Sequence, residues 1–140
     1  MALPNRIHLE FVTPERSIAH EDVDEVVLPG EAGDFGVLPG HAPLLALLRV
    51  GPMWFRKGTE KTFAFVAGGF AEVVADRVSV LAQVAERAED IDLARAEAAK
   101  RRAEEALTKP AKEMDFEVAR AALLRALVRL QVSQHARTRS

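Results

Sequence analysis

The chain has 140 residues, of which 49% are hydrophobic and 29% are charged, a balance that fits one compact domain with or without an appendage. Its 19 basic and 21 acidic residues give a formal net charge of −2, which argues against a nucleic-acid partner because such binding needs a concentrated basic face. The sequence contains no cysteine, so disulfides, thiolate chemistry and cysteine-ligated zinc are excluded.

The first residues, Met1 to Arg6, do not show the basic and then apolar pattern of a signal peptide. No run of apolar residues approaches the roughly 18 that a membrane-spanning helix requires. We therefore expect the protein to stay in the cytoplasm, where it can still attach to a membrane complex.

The first half of the chain is predicted to form short β-strands. Ile7, Leu9 and Phe11 alternate with polar residues over 6–12, which predicts a half-buried strand. Further strands are predicted at 22–29 and 53–57, and several more over 62–84, divided at the glycine pair 68–69 and near residue 76. Many short strands with regular turn signals favour a β-sandwich or barrel.

The stretch "GDFGVLPGHAPLL", residues 33–45, is rich in glycine and proline. Glycine gives the backbone freedom to turn and proline stiffens it, so the residues alone predict a turn-rich connection.

The composition changes at "RAEDIDLARAEAAKRR", residues 87–102, where strong helix formers replace glycine, proline and valine. A first helix is predicted from an Asp92 cap to about residue 107, and Pro110 lies in the break that follows. Asp115 is predicted to cap a second helix. The apolar stripes of the two helices are narrow and mostly small: Leu93, Ala96, Lys100, Ala103 and Leu107 on the first, and Phe116, Ala119, Leu123, Ala126, Leu127 and Leu130 on the second.

These stripes predict an antiparallel hairpin that is only weakly stable by itself. Arg95 and Arg102 lie within roughly 20° of each other on the first helix, since residues advance by about 100°. Arg125 and Arg129 lie within about 40° on the second. A turn centred near residue 111 would place Arg95 between Arg125 and Arg129, and guanidinium groups that converge in this way suit phosphate oxygens.

A second interpretation of the arginines needs no ligand. Arginine is common on alanine-rich helices, and solvent-exposed glutamates at 97, 104, 105 and 117 could pair with the guanidinium groups. The residues alone leave both interpretations open.

The four histidines at 8, 20, 41 and 135 show no paired metal-ligand spacing, so no metal site is predicted. The sequence also lacks the signatures of a Ser-His-Asp triad, a phosphate-binding glycine loop followed by lysine, and a dinucleotide fingerprint. It therefore offers no catalytic residues, and we predict that the protein is not an enzyme.

Three stretches in the right order, "GDFGVLPGHAPLL", "VAGGFAEV" and "VLAQVAERAEDIDLARA", resemble the epsilon subunit of bacterial F-type ATP synthases. The resemblance covers essentially the whole chain. It implies a ten-stranded β-sandwich over residues 1–87 and a two-helix regulatory domain over 88–140. It also implies a non-catalytic subunit of the central stalk, the rotor that couples proton flow to ATP synthesis, on the cytoplasmic face of the cell inner membrane.

The resemblance implies partners for both parts. The sandwich would dock the gamma subunit and the c-ring, with Asp34 and His41 as polar c-ring contacts and Val37 and Leu38 as apolar ones. The helices would contact the alpha and beta subunits when extended and would inhibit ATP hydrolysis there.

The residues Ile91-Asp92-Leu93-Ala94-Arg95-Ala96 also match, position by position, an ATP-binding motif of the family. The resemblance implies a regulatory ATP site, with no cofactor required, formed by Glu86, Ile91, Asp92, Arg95, Arg102, Arg125 and Arg129. Asp92 and Glu86 would contact the adenosine and the arginines the phosphates.

Two alternatives remain at this point. The arginine-rich second helix could act as an electrostatic brake against an acidic segment of the beta subunit. Without the resemblance, the sequence predicts an adaptor protein, in which a β-sandwich carries a helical arm that binds another protein and does not sense nucleotides.

Overall fold

The computed structural model describes residues 5–109 and 112–138, with the side chains at 137 and 138 left out. The chain divides into two compact units, and the boundary lies between Arg87 and Ala88. Within the described residues the first unit has eight strands: β1 (Ile7–Val12), β2 (Ser17–Val23), β3 (Glu25–Gly30), β4 (Gly33–Val37), β5 (Leu44–Leu47), β6 (Gly51–Lys57), β7 (Glu60–Val74) and β8 (Arg77–Arg87).

The strands form a β-sandwich in the order β2-β1-β8-β7-β6-β3-β4, with β5 paired to β7. β1 and β8 run parallel, and the other neighbours are antiparallel. The alternation predicted for β1 is confirmed, since Ile7, Leu9 and Phe11 are buried in the core. That burial fixes the register of β1, because a slip by one residue would turn these side chains to solvent.

The expected ten strands are not what the structure forms, although the sandwich itself is confirmed. β7 and β8 are long, and the residues predicted to divide β7 lie inside it. Gly68 and Gly69 adopt positive φ angles of 76° and 115°, and they bend the strand without ending it. β7 pairs with β6 before this bend and with β5 after it.

Two other strand predictions need correction. The strand expected at 22–29 is split at Asp24, which separates β2 from β3, because its backbone N–H donates to the carbonyl oxygen of Arg56 at 2.7 Å. The connection expected over 33–45 contains a strand, since β4 pairs with β3 as a hairpin. Only residues 38–43 lie outside regular strands there.

The second unit begins with a single 3₁₀ turn, Ala88–Asp90, followed by α1 (Leu93–Thr108) and α2 (Glu113–Thr138). The two helices pack on each other and form the predicted hairpin. The Asp92 cap is confirmed, whereas Asp115 is not a cap: α2 begins two residues earlier, so Asp115 lies in its first turn. A carboxylate there still interacts favourably with the helix dipole.

The small apolar stripe of α1 is confirmed, and its buried residues are Ala96 and Ala103. On α2, Ala119 and Ala126 are buried as predicted, but Leu127 is 44% exposed. Val128 and Val132 are buried instead, positions that the predicted stripe did not include. Neither helix of the described chain has an apolar stretch long enough to cross a bilayer.

Candidate functional site

The first candidate site starts at the N-terminus of α1. Asp92 has an extended backbone, with φ −77° and ψ 100°, and its Oδ1 accepts a hydrogen bond from the N–H of Arg95 at 3.1 Å. Its backbone carbonyl accepts from the N–H of Ala96 at 3.0 Å. Both bonds satisfy N–H groups that a helix start leaves unpaired. The cap therefore explains Asp92 and sets the direction of the turn that carries Arg95.

Helix periodicity assigns four arginines to one edge of the hairpin, which we call the arginine edge: Arg95, Arg102, Arg125 and Arg129. Arg95 and Arg102 each come immediately before a buried alanine of α1, and Arg125 immediately before the buried Ala126 of α2. One residue is about 100° of rotation, so these side chains flank the buried stripe on its preceding side. In two antiparallel helices that face each other, the preceding sides point to the same edge.

The spacing along the hairpin supports the same grouping. α1 ends at Thr108 and α2 begins at Glu113, so the midpoint between the two helix ends agrees with the predicted centre, while Pro110 and the predicted centre itself lie outside the described residues. Arg95 is then level with the stretch between Arg125 and Arg129. Arg102 is about two turns further along α1 than Arg95, nearer the connection.

Three arginines of this edge lack the expected carboxylate partners within the described residues. The side chains of Arg95, Arg102 and Arg125 form no ion pair there, and Glu117 pairs with Arg120, a different arginine, at 3.4 Å. Arg95 and Arg102 are exposed, and Arg125 and Arg129 are half-buried. Like charges on one edge repel, and an anion with several oxygens would relieve that repulsion.

The other two predicted ATP-site residues lie near the unit boundary. Ile91 is half-buried, and its N–H donates to the carbonyl oxygen of Ala88 at 3.3 Å. Glu86 belongs to β8 of the first unit, where it pairs in register with Phe65.

The second candidate site is the β4–β5 segment. Asp34 is exposed and forms an ion pair with Arg49, so its carboxylate already has a partner. Leu38 is 54% exposed and His41 is half-buried, and the N–H of His41 donates to the carbonyl oxygen of Leu38 at 3.1 Å to close the turn. Val37 is a correction to the prediction: it is 1% exposed and packs in the core, so it offers no area to a partner.

The sequence did not predict an apolar row across the sheet. Leu47 pairs with Phe70, and Phe70 pairs with Leu81 on the next strand. The three side chains are 62%, 41% and 42% exposed, and a groove of about 310 Å³ beside them is lined by Val12, Pro14, Phe70 and Leu81. Exposed apolar patches of this kind mark interaction surfaces. The signal was missed because the three residues come from three strands and meet only through the register.

A histidine cluster was also missed, because its residues do not have a metal-ligand spacing along the sequence. His8 lies on β1 and His20 on β2, and their ring centroids are 4.8 Å apart. Glu10 completes a group whose nitrogen and oxygen atoms all lie within 4.8 Å of one another. Spacing rules within one segment could not find it, because the register of two strands brings the residues together.

Both parts of the chain match models of one protein family. Residues 6–88 match the family model described as "ATP synthase, Delta/Epsilon chain, beta-sandwich domain". Residues 89–134 match "ATP synthase, Delta/Epsilon chain, long alpha-helix domain". Together the two models cover nearly the whole chain.

Curated relatives show the same likeness. The ATP synthase epsilon chain of Nitratidesulfovibrio vulgaris (strain DP4) is 48% identical over 130 residues, which cover 93% of this chain and 97% of the relative. That of Syntrophobacter fumaroxidans is 46% identical over 132 residues, covering 94% and 98%.

Among solved structures, a chain in the Euglena gracilis mitochondrial ATP synthase (OSCP/F1/c-ring) superposes with a TM-score of 0.72 at 22% identity, covering 99% of this chain and 84% of that one. A chain in the central stalk/c-ring structure of Tetrahymena thermophila ATP synthase gives 0.56 at 12% identity, covering 96% and 98%. At these identities the likeness shows the fold alone.

Proposed function

The chain belongs to the delta/epsilon chain family of ATP synthases, and from this premise we propose that it is a non-catalytic rotor subunit with an ATP-sensitive helical latch. The family that the sequence resemblance predicted is confirmed. In the proposed role the sandwich holds the subunit in the central stalk at the cytoplasmic face of the membrane. The hairpin regulates the enzyme that the whole complex forms.

The apolar row carries the docking part of this proposal. Leu47, Phe70 and Leu81 present a continuous apolar strip across β5, β7 and β8, held by the register of three strands. Covering such a strip releases water from apolar surface, at roughly 25 cal/mol per Å² buried. The gamma subunit is the partner that the family membership suggests for it.

The β4–β5 segment is the proposed contact with the c-ring. Leu38 supplies exposed apolar area, and His41 supplies a polar group in the same tight turn. Asp34 contributes less than a free carboxylate would, because Arg49 already neutralises it. Val37 is no longer part of this proposal.

The hairpin has the properties of a latch. The residues of α1 that are buried are two alanines, so little apolar area holds this helix in place. Most helical stability in proteins comes from packing of an amphipathic face, and a narrow stripe of alanines supplies little of it. A second state, in which the helices extend toward the alpha and beta subunits and block hydrolysis, is therefore energetically accessible.

ATP would favour the folded hairpin through the arginine edge. Its phosphates can accept charge-assisted hydrogen bonds from guanidinium groups of both helices, and such bonds form only while the helices lie side by side. A ligand that binds one state better shifts the population toward that state. A high ATP concentration would then keep the hairpin folded and ATP hydrolysis uninhibited, and a low ATP concentration would allow the helices to extend.

Titration of the isolated chain with ATP, followed by calorimetry, tests this proposal. The Arg95→Ala variant should bind ATP about 10- to 100-fold more weakly, because one charged hydrogen bond is worth about 1.5–3 kcal/mol. Arg101→Ala is the matched control: the residue is also an exposed arginine of α1, but it lies about 200° of rotation from Ala103 and so off the arginine edge. Equal affinities in the two variants would contradict the site.

The electrostatic brake is a distinct mechanism that needs no nucleotide. It would rest on the basic α2 helix docking an acidic segment of the beta subunit. High salt should then relieve inhibition, since screening weakens exposed charge pairs. Absence of saturable ATP binding together with salt-relieved inhibition would favour the brake alone.

The adaptor alternative keeps the sandwich and its apolar row but assigns the arm to an unrelated partner. Co-purification separates the two proposals. A rotor subunit should be recovered with gamma and the c-ring, whereas a general adaptor should not.

A further inference from the structure

We propose that His8, Glu10 and His20 form a binding site for a divalent transition-metal ion, with Zn²⁺ as the probe, on the outer face of the β1–β2 pair. The site lies within the first unit and is independent of both the latch and the docking surfaces. It rests on the placement of four polar side chains by one strand register.

The register creates the site. β1 and β2 pair antiparallel, with His8 opposite Asp22 and Glu10 opposite His20. Side chains two residues apart on a strand share a face, so all four side chains stand on one face as a two-by-two array. The opposite face of β1 carries Ile7, Leu9 and Phe11 in the core, which fixes this orientation.

The donor set suits a transition metal. Two imidazoles and one carboxylate are ligands that Zn²⁺ and its first-row neighbours bind well, and Mg²⁺ prefers oxygen alone. The Nδ1 of His20 is already 3.7 Å from Oε1 of Glu10. Donors around tetrahedral Zn²⁺ stand about 3.4 Å apart at bond lengths of about 2.1 Å, so the 4.8 Å group must contract by only about 1.4 Å.

Asp22 provides the second line of support. Its Oδ1 is 3.0 Å from Nδ1 of His8, an arrangement in which His8 donates through Nδ1 and keeps the Nε2 lone pair. Metal-binding histidines commonly donate their other ring N–H to a carboxylate in this way, which fixes the ring and raises its basicity. The cluster therefore contains three ligands and the group that orients one of them.

The surrounding residues leave the site open to solvent and allow its three ligands to move closer together. β2 is the edge strand of the sheet order, so solvent reaches His20 and Asp22, whose side chains are 63% and 61% exposed. On the other side, β8 places Arg77 opposite His8 and Ser79 opposite Glu10. The carboxylates of Glu10 and Asp22 balance a dication. Arg77 is a neighbouring cation that opposes it, and Arg6, two residues before His8, is paired with Asp24 at 3.5 Å.

Calorimetric titration of the tag-free full chain with ZnCl₂ tests the proposal. We expect one Zn²⁺ per chain, a rise in melting temperature with Zn²⁺ because binding favours the folded state, and no equivalent effect of Mg²⁺. His20→Gln should weaken Zn²⁺ binding by at least about tenfold. Removing a residue that binds the metal should lower the affinity at least as much as removing a residue that only hydrogen-bonds to such a ligand. His41→Gln, which replaces a half-buried histidine outside the cluster, should leave the Zn²⁺ affinity unchanged.

Histidine ring-proton NMR of the same samples also locates the bound Zn²⁺ in the unaltered chain. The result therefore does not depend on whether a variant folds correctly. The signals of His8 and His20 should shift with Zn²⁺ while those of His41 and His135 stay in place. No saturable one-to-one binding by the unaltered chain, an undiminished affinity of the folded His20→Gln chain, or equal competition by Mg²⁺ would each overturn the site.

Discussion

At the scale of single residues, Asp24 shows how one carboxylate joins three segments. Its Oδ2 accepts a hydrogen bond from the N–H of Gly58 at 2.7 Å, and the guanidinium groups of Arg6 and Arg56 lie at 3.5 Å and 3.9 Å. The hydrogen bond from Gly58 first, and then the two arginines, lower the pKa of Asp24 below its ordinary value of 3.8. The residue thus ties the β2–β3 break to the β6–β7 turn.

The lowered pKa makes a pH-dependent prediction. A carboxylate with a lower pKa in the folded state stabilises the fold above its unfolded pKa, and this contribution is lost as pH falls through the folded pKa. Asp24→Asn keeps an acceptor for Gly58 but removes the charge. It should lower the urea midpoint at pH 7, and the gap to the unaltered chain should close as the pH falls below 3.8.

Asp76→Asn is the matched control for that measurement, because Asp76 is an exposed aspartate in the β7–β8 turn of the same unit. Its urea midpoint should follow that of the unaltered chain at both ends of the pH range. An Asp24→Asn deficit of constant size across the range would mean that the charge is not the cause.

At the scale of elements, β7 depends on its glycine bend. A Cβ atom added at Gly69 would lie 2.1 Å from the carbonyl oxygen of Leu81 and 2.8 Å from Cα of Ala82, and the φ of 115° is one that other residues rarely adopt. Both obstacles are backbone atoms, which cannot rotate away. The bend lets one strand serve both β6 and β5 and so places Phe70 in the apolar row.

Gly69→Ala should therefore lower the free energy of unfolding by at least about 2 kcal/mol in urea denaturation, from backbone strain and overlap together. Gly36→Ala is its control, since the added Cβ would lie at an ordinary 3.6 Å from Val27. A Gly69→Ala chain as stable as the Gly36→Ala chain would show that the bend tolerates a side chain.

Local sequence patterns predicted a strand or helix well where the residues of that segment alone decide its structure. Alternation located β1, and Asp92 with the helix formers located α1. The prediction failed where a pairing between strands decides: the glycine pair was taken as a break, yet β8 holds both sides of it in one strand. Val37 was placed at the surface for the same reason, since only the β3–β4 pairing shows that it turns into the core.

The candidate sites follow the same division. The arginine edge stays a prediction, and it can be made from the sequence because helix periodicity and one hairpin turn are enough to define it. The apolar row and the histidine cluster were not, because their residues lie on separate strands and meet only through sheet register. Long-range pairing is the information that a single sequence does not display.

At the scale of the whole molecule, the two units divide the work that we propose for it. The sandwich has a large core and exposed docking surfaces, which suit permanent attachment. In the hairpin, the buried residues of α1 are two alanines, and three arginines of the arginine edge, Arg95, Arg102 and Arg125, form no ion pair within the part of the chain that the structure describes; both features suit a reversible change of state. Their separation at Arg87 and Ala88 allows one unit to be removed without cutting through the core of the other.

The most direct test of this account compares ATP hydrolysis by the ATP synthase complex assembled with the full chain and with a chain that ends at Arg87. We expect the shortened chain to remain bound with gamma and the c-ring, because the sandwich carries the docking surfaces, and the hydrolysis rate to rise, because the inhibitory helices are gone. An unchanged hydrolysis rate in a complex that retains the shortened chain would contradict the latch.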